Sequence, residues 1–90
     1  MLDWSKALET LDGAYSDATM RAYHCDVQAY VNWCAEERLD PFPASVEQVC
    51  AFLEAEGKLM APSTVRRRLY AIRKIHRLLG LADPTYDEAI

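Results

Sequence analysis

The chain has little of what marks most function classes. Three glycines and four prolines are too few for a low-complexity or collagen-like polymer, and 51% hydrophobic residues are too many for a disordered tail. No apolar run approaches the roughly 20 residues of a membrane span. The start, Met1-Leu2-Asp3-Trp4-Ser5-Lys6, has neither the basic nor the apolar region of a signal peptide. The three cysteines (Cys25, Cys34, Cys50) are odd in number and lack Cys-x-x-Cys spacing. With His24 and His76 they form no zinc-ligand pattern, so neither a disulfide framework nor a metal is expected. There is no Gly-x-Ser-x-Gly, no Gly-rich phosphate loop and no His-Glu-x-x-His. The carboxylates are scattered, and none are paired as a general acid and base. No catalytic residue, cofactor or small-molecule ligand is expected.

What is present is helix-period patterning over a length that suits one domain, residues 1–90. A first helix is predicted over 3–12, with Leu8 and Leu11 as its apolar pair and Gly13 as its stop. A long second helix starts at Ser16 or Asp17 and ends near Arg38. Its apolar face is Tyr23, Val27, Tyr30, Val31 and Cys34, and Arg21, Cys25, Gln28 and Asn32 form a stripe outside it. A loop through Pro41-Phe42-Pro43 leads to a third helix, opened by the capping-box pattern Ser45-Val46-Glu47-Gln48 and closed by Gly57. Pro62-Ser63 announces a fourth helix, ended by Gly80. Thr85-Tyr86-Asp87-Glu88 opens a possible fifth. The expected fold class is all-α, a compact bundle of four to five helices, in which Leu69 and Ile72 should be nearly fully buried.

Charge is unevenly placed. The net charge is −4, which taken alone argues against nucleic acid. Yet residues 1–57 carry −8, residues 58–82 carry +7 with no acid among them, and residues 83–90 carry −3. On a wheel with Val65 at zero, the apolar stripe of the fourth helix spans about 280° through zero to 40°. Arg66, Arg67, Arg73, Lys74 and Arg77 fall between about 80° and 200°, with Tyr70 among them. Ser63 and Thr64 stand at the helix start, where hydroxyls and backbone amides can meet phosphate. Such a face suits duplex DNA, because guanidinium groups grip phosphate or a guanine edge with two bonds. The plainer alternative is a solvated basic face paired to the acidic remainder. His76, inside the apolar stripe, reads as a core histidine bonded to a backbone carbonyl. Arg68, at the stripe's edge, reads as snorkelling or paired to a carboxylate.

Three segments resemble a known family when taken together. They are Ser16-x-x-Thr19-x-Arg21-x-Tyr23 leading to Trp33-Cys34; Phe42-Pro43-Ala44 with Val46-x-x-Val49 and Phe52-Leu53; and Ser63-Thr64-Val65 through Ala71-Ile72-x-x-Ile75-His76 to Gly80-Leu81-x-Asp83-Pro84-Thr85. In this order and spacing, residues 14–90 resemble the SAM-like core-binding domain of tyrosine recombinases and phage integrases. The resemblance implies half of a clamp around a recombination site, with the second and fourth helices at the major groove. Carried over, it singles out Thr19, Arg21, Cys25 and Gln28, then Ser63, Thr64, Arg67 and Lys74, with Arg66, Tyr70 and Arg73 nearby. It places Arg73 and Arg77 towards the periphery. It also implies contacts with neighbouring recombinase subunits through the terminal helices, and a cytoplasmic, nucleoid-associated setting in a bacterium or phage-infected cell. The family's catalytic residues lie in a second domain, so no tyrosine here is expected to be a nucleophile. Two other readings stay open: a helical protein–protein interaction domain using the basic face, and a helix-turn-helix regulator, which the absence of a short inter-helix turn weakens.

Overall fold

Local chemistry sets where each helix begins. Side-chain oxygens of Asp3, Ser16 and Ser45 accept the backbone N–H of Lys6 (3.0 Å), Thr19 (3.2 Å) and Gln48 (3.1 Å), satisfying amides that have no partner within the helix. The computed structural model describes residues 3–84 and contains α1 (Trp4–Glu9), α2 (Asp17–Glu36), α3 (Val46–Gly57) and α4 (Pro62–Leu78). The only β pairing among the described residues is a lone bridge between Asp12 and Tyr15, so the all-α expectation holds. The expected fifth helix at Thr85 lies outside the described residues. α1 is shorter than expected and stops before the turn at Gly13, where φ is +88°. α4 opens on Ala61, which has no side-chain acceptor, followed by Pro62, whose missing N–H needs no partner there.

Two helices end in the same way. The N–H groups of Gly80 and Leu81 return to the carbonyls of Arg77 (3.1 Å) and His76 (2.8 Å), with Gly80 at φ +73°. The N–H groups of Arg38 and Leu39 return to Ala35 (3.2 Å) and Cys34 (2.8 Å). Here the left-handed residue is Arg38, at φ +58°, so α2 stops two residues earlier than its sequence suggested.

α2 and α4 form the spine. One buried cluster, Tyr30, Cys34, Val49, Phe52 and Ile72, joins them to α3. A second, Leu8, Val27, Ala71 and Ile75, joins them to α1, and Phe42 packs against both. Aromatic rings run through the first cluster at centroid separations of 5–6 Å: Trp33 on Phe52, Phe52 on Tyr30, Tyr30 on Phe42 and Phe42 on His76. Two expectations need correction. Ile72 is fully buried, but Leu69 is only partly so, because α4 buries the arc from Arg68 and Ala71 to His76 against its three neighbours. The Ser45 half of the capping box is formed, while the Gln48 side-chain amide, which would have to turn its Oε1 back to Ser45 N–H to complete it, has its N–H end in the interior. That end donates to Tyr30 Oη (3.0 Å), Asp40 O (2.8 Å) and Cys34 Sγ (3.3 Å).

Candidate nucleic-acid interface

The polar faces of α2 and α4 meet along one seam. Lys74 Nζ lies 5.5 Å from the ring centre of Tyr15, just before α2, and Arg67 reaches Asp26 in the middle of α2. The two helices therefore run past each other in opposite directions, with Arg67 and Lys74 of α4 on the side that meets α2.

Asp26 is the central group of this seam. It is fully buried and accepts two hydrogen bonds from Arg67, Nε to Oδ2 at 2.8 Å and Nη2 to Oδ1 at 3.0 Å. Half of the Arg67 side chain (51%) stays exposed. The bonds to Asp26, then its charge, raise the Arg67 pKa above its ordinary value. Behind Asp26 lies Arg68, almost fully buried, with Nε 3.9 Å from Asp26 Oδ1 and 3.8 Å from Glu56 Oε2. These distances are ion pairs rather than hydrogen bonds. Asp26, Arg67, Arg68 and Glu56 thus form a charge-balanced cluster, which lowers the cost of burying its members.

The remaining cations divide into two groups. Arg73 and Arg77 both place Nε 3.6 Å from Asp83, a nearly buried carboxylate just beyond α4, and Arg73 also lies over the Tyr70 ring at 5.5 Å. Four of the seven cations in residues 58–82 (Arg67, Arg68, Arg73, Arg77) therefore stand within ion-pair distance of an acid. The basic face that the wheel set opposite the apolar stripe is therefore only partly exposed: Arg66 and Arg67 are exposed, Arg73 and Lys74 half-buried. Arg66 is exposed, and Arg21, Arg66 and Lys74 have no carboxylate within ion-pair distance among the described residues.

The other expected contact residues sit as follows. Arg21, Cys25 and Gln28 are exposed on α2, and Gln28 Nε2 donates to Asn32 Oδ1 at 2.8 Å. Thr19 is half-buried, its hydroxyl accepting from Ser16 Oγ at 3.0 Å. Ser63 and Tyr70 are exposed on α4 and Thr64 is half-buried. The backbone N–H of Thr64 is already bonded to Ala61 O at 3.0 Å, which leaves less of an amide site at the start of α4 than its sequence suggested.

His76 is a core residue, as expected, but with a second bond. Nδ1 lies 2.8 Å from Ile72 O, and Nε2 accepts the N–H of Ala44 at 3.0 Å. Among the described residues no three His, Cys, Asp or Glu are grouped to hold a metal ion, and no helix is long and apolar enough to cross a membrane.

Sequence reasoning missed the acids. Asp26 stands on the flank of the α2 apolar stripe, and Arg68 at the edge of the stripe on α4. Opposite charges at the margins of two facing stripes were the available signal.

Residues 4–81 match the family model described as the phage integrase N-terminal SAM-like domain. The chain is 30% identical over 77 residues to an integrase/recombinase xerD homolog of Selenomonas ruminantium, covering 86% of this chain and 23% of that protein. It is 30% identical over 61 residues to the tyrosine recombinase XerD of Lacticaseibacillus casei, covering 68% of this chain and 21% of that protein. The chain thus matches less than a quarter of the length of these relatives.

Proposed function

The chain belongs to the phage integrase N-terminal SAM-like domain family, and from that premise we propose that it is the DNA-binding module of a site-specific tyrosine recombinase. In this reading α2 and α4 grip duplex DNA during integration or recombination. The chemistry belongs to a catalytic domain elsewhere in the parent protein, and this module alone is not an enzyme. Its setting is the cytoplasm, at the nucleoid, and its further partners are other recombinase subunits met through the terminal helices.

The observation that carries the reading is the seam between α2 and α4. It brings Lys74, which has no acid within ion-pair distance among the described residues, together with the exposed half of Arg67, while Arg66 borders the α3 side of α4 and Arg21 the α1 side of α2. Thr19, Cys25, Gln28, Ser63, Thr64 and Tyr70 of α2 and α4 are the further candidate contacts, with Arg21 and Arg66. Cations that need not leave a carboxylate can replace the counterions of DNA directly. The acidic remainder of the chain opposes that attraction, so binding belongs in the range of about 10⁻⁴–10⁻⁶ M typical of sequence-independent contact.

Helical protein–protein interaction through the same basic face is the competing reading. The Asp83 pairs favour neither of these but the plainer alternative, a basic face partly paired to acids of its own chain. Anisotropy titrations of a labelled duplex separate the two. The double variant Arg66→Gln, Lys74→Gln should bind more weakly than wild type, and Arg38→Gln, in the turn after α2, should bind equally well. Equal binding by the double variant would overturn the proposed surface.

A further inference from the structure

The guanidinium of Arg67 is held along one edge only. It has five N–H groups in a rigid plane. The Nε–H and one Nη2–H go to Asp26. Three remain, the two of Nη1 and the second of Nη2, and they form the outer end of the fork. Because the side chain is 51% exposed while Asp26 is fully buried, that outer end is the part turned towards solvent. Two donors lie there side by side in an orientation that the carboxylate behind them has already fixed.

A phosphate can meet the same fork with two oxygens, but it gains chiefly from charge, and Asp26 cancels much of the charge of Arg67. What survives the pairing is direction: two parallel N–H donors at fixed spacing. The DNA group that answers such a fork is the major-groove edge of guanine, where N7 and O6 are adjacent acceptors. Arg21, Arg66 and Lys74, which keep their full charge, suit the phosphates. Resting on the DNA-binding reading above, we infer that Arg67 reads a guanine in the major groove, with Asp26 as its positioning residue.

The test is selection from a pool of duplexes with a randomised central segment, using the 90-residue chain at low salt and sequencing the bound fraction. Wild type should enrich guanine at one position, the other bases being bound roughly five- to 150-fold less well. Arg67→Lys keeps the charge and can keep one bond to Asp26, but it cannot form the fork. It should lose that preference, the bound fraction then showing no base enriched at that position. Asp26→Asn frees a mobile, uncancelled cation. It should also lose the preference, while its binding to the unselected pool rises. A purely structural role for Asp26 predicts the opposite, since a less stable fold lowers both together. Circular dichroism checks that Asp26→Asn is folded, and if it is not, Arg67→Lys alone decides. Guanine preference that survives Arg67→Lys, or wild-type binding with no base preference, overturns the inference and leaves the DNA-binding reading standing. A wild-type chain that binds no duplex even at low salt overturns both.

Discussion

His76 is held neutral by Ala44. The Ala44 N–H can only donate, so His76 Nε2, 3.0 Å away, must accept and carry no proton. The ring proton is therefore on Nδ1, which donates to Ile72 O at 2.8 Å. This one side chain ties the loop before α3 to the C-terminal half of α4, inside the packing of Phe42.

The first prediction follows from that arrangement. Burial pushes the His76 pKa below its ordinary 6.5, while its bond to Ile72 and the nearby Asp83 push it up less strongly. With the folded pKa below the unfolded one, the unfolded chain takes up the proton first on acidification. The contribution of His76 is therefore complete above pH 6.5 and is lost as pH falls from there through the folded value. Urea denaturation between pH 8 and 5.5 should show stability falling towards acid. His76→Gln, which can still accept from Ala44, should be less stable at pH 8 but flatter with pH. Equal slopes for the two proteins would contradict the account.

The second prediction separates neighbours on one helix. Ile72 is fully buried between α2, α3 and α4, so Ile72→Ala should cost about 2–5 kcal/mol. Leu69 packs at the margin of the same cluster and is only partly buried, so Leu69→Ala should cost about 1–2 kcal/mol. Chemical denaturation of both variants checks the order. Equal losses would mean that α4 is rotated from the position described.

Much of this fold was legible in the residues, and the failures are local and physical. Gly80 announced the end of α4 because glycine enters the left-handed region without a steric cost. Arg38 does the same at the end of α2 and gave no signal, because a side chain there opposes the conformation it adopts. The wheel placed the apolar stripe of α4 close to its true position but ran it as far as Val65 and Leu69, which are only partly buried. A wheel ranks side chains by apolarity, whereas burial is decided by three neighbouring helices, and these cover Arg68 and Ala71 instead. The basic face was legible as composition. Its division into paired and unpaired cations was not, because Arg67 finds Asp26 across 41 residues of chain.

The third prediction uses the Arg38 turn. Holding a residue with a Cβ in the left-handed region costs about 1–2 kcal/mol that glycine avoids, offset in part by the greater freedom of glycine in the unfolded chain. Arg38→Gly should therefore stabilise the domain by about 0.5–1 kcal/mol while keeping the return bonds to Ala35 and Cys34. A thermal melt reads this as a higher midpoint. A lower midpoint would mean that the Arg38 side chain contributes more than its backbone strain removes.

The fourth prediction counts phosphates. Arg21, Arg66 and Lys74 are the cations of α2 and α4 without an acid within ion-pair distance among the described residues. If each neutralises one phosphate, log K should fall with log salt at a slope of about −2.7, from −0.9 per phosphate. Should Arg67 meet phosphate rather than a base, the slope steepens to about −3.6. Arg73 and Arg77 would steepen it further, to about −5.4, only by leaving Asp83. The measured slope therefore reports which ion pairs survive contact with DNA. Substituting Asp83 by Asn sharpens the assignment, because it releases Arg73 and Arg77 without adding a cation. It should steepen the slope if those arginines lie near enough to the duplex to reach phosphate. An unchanged slope with Asp83→Asn, together with about −2.7 for wild type, assigns the contact to Arg21, Arg66 and Lys74 and leaves Arg73 and Arg77 outside it.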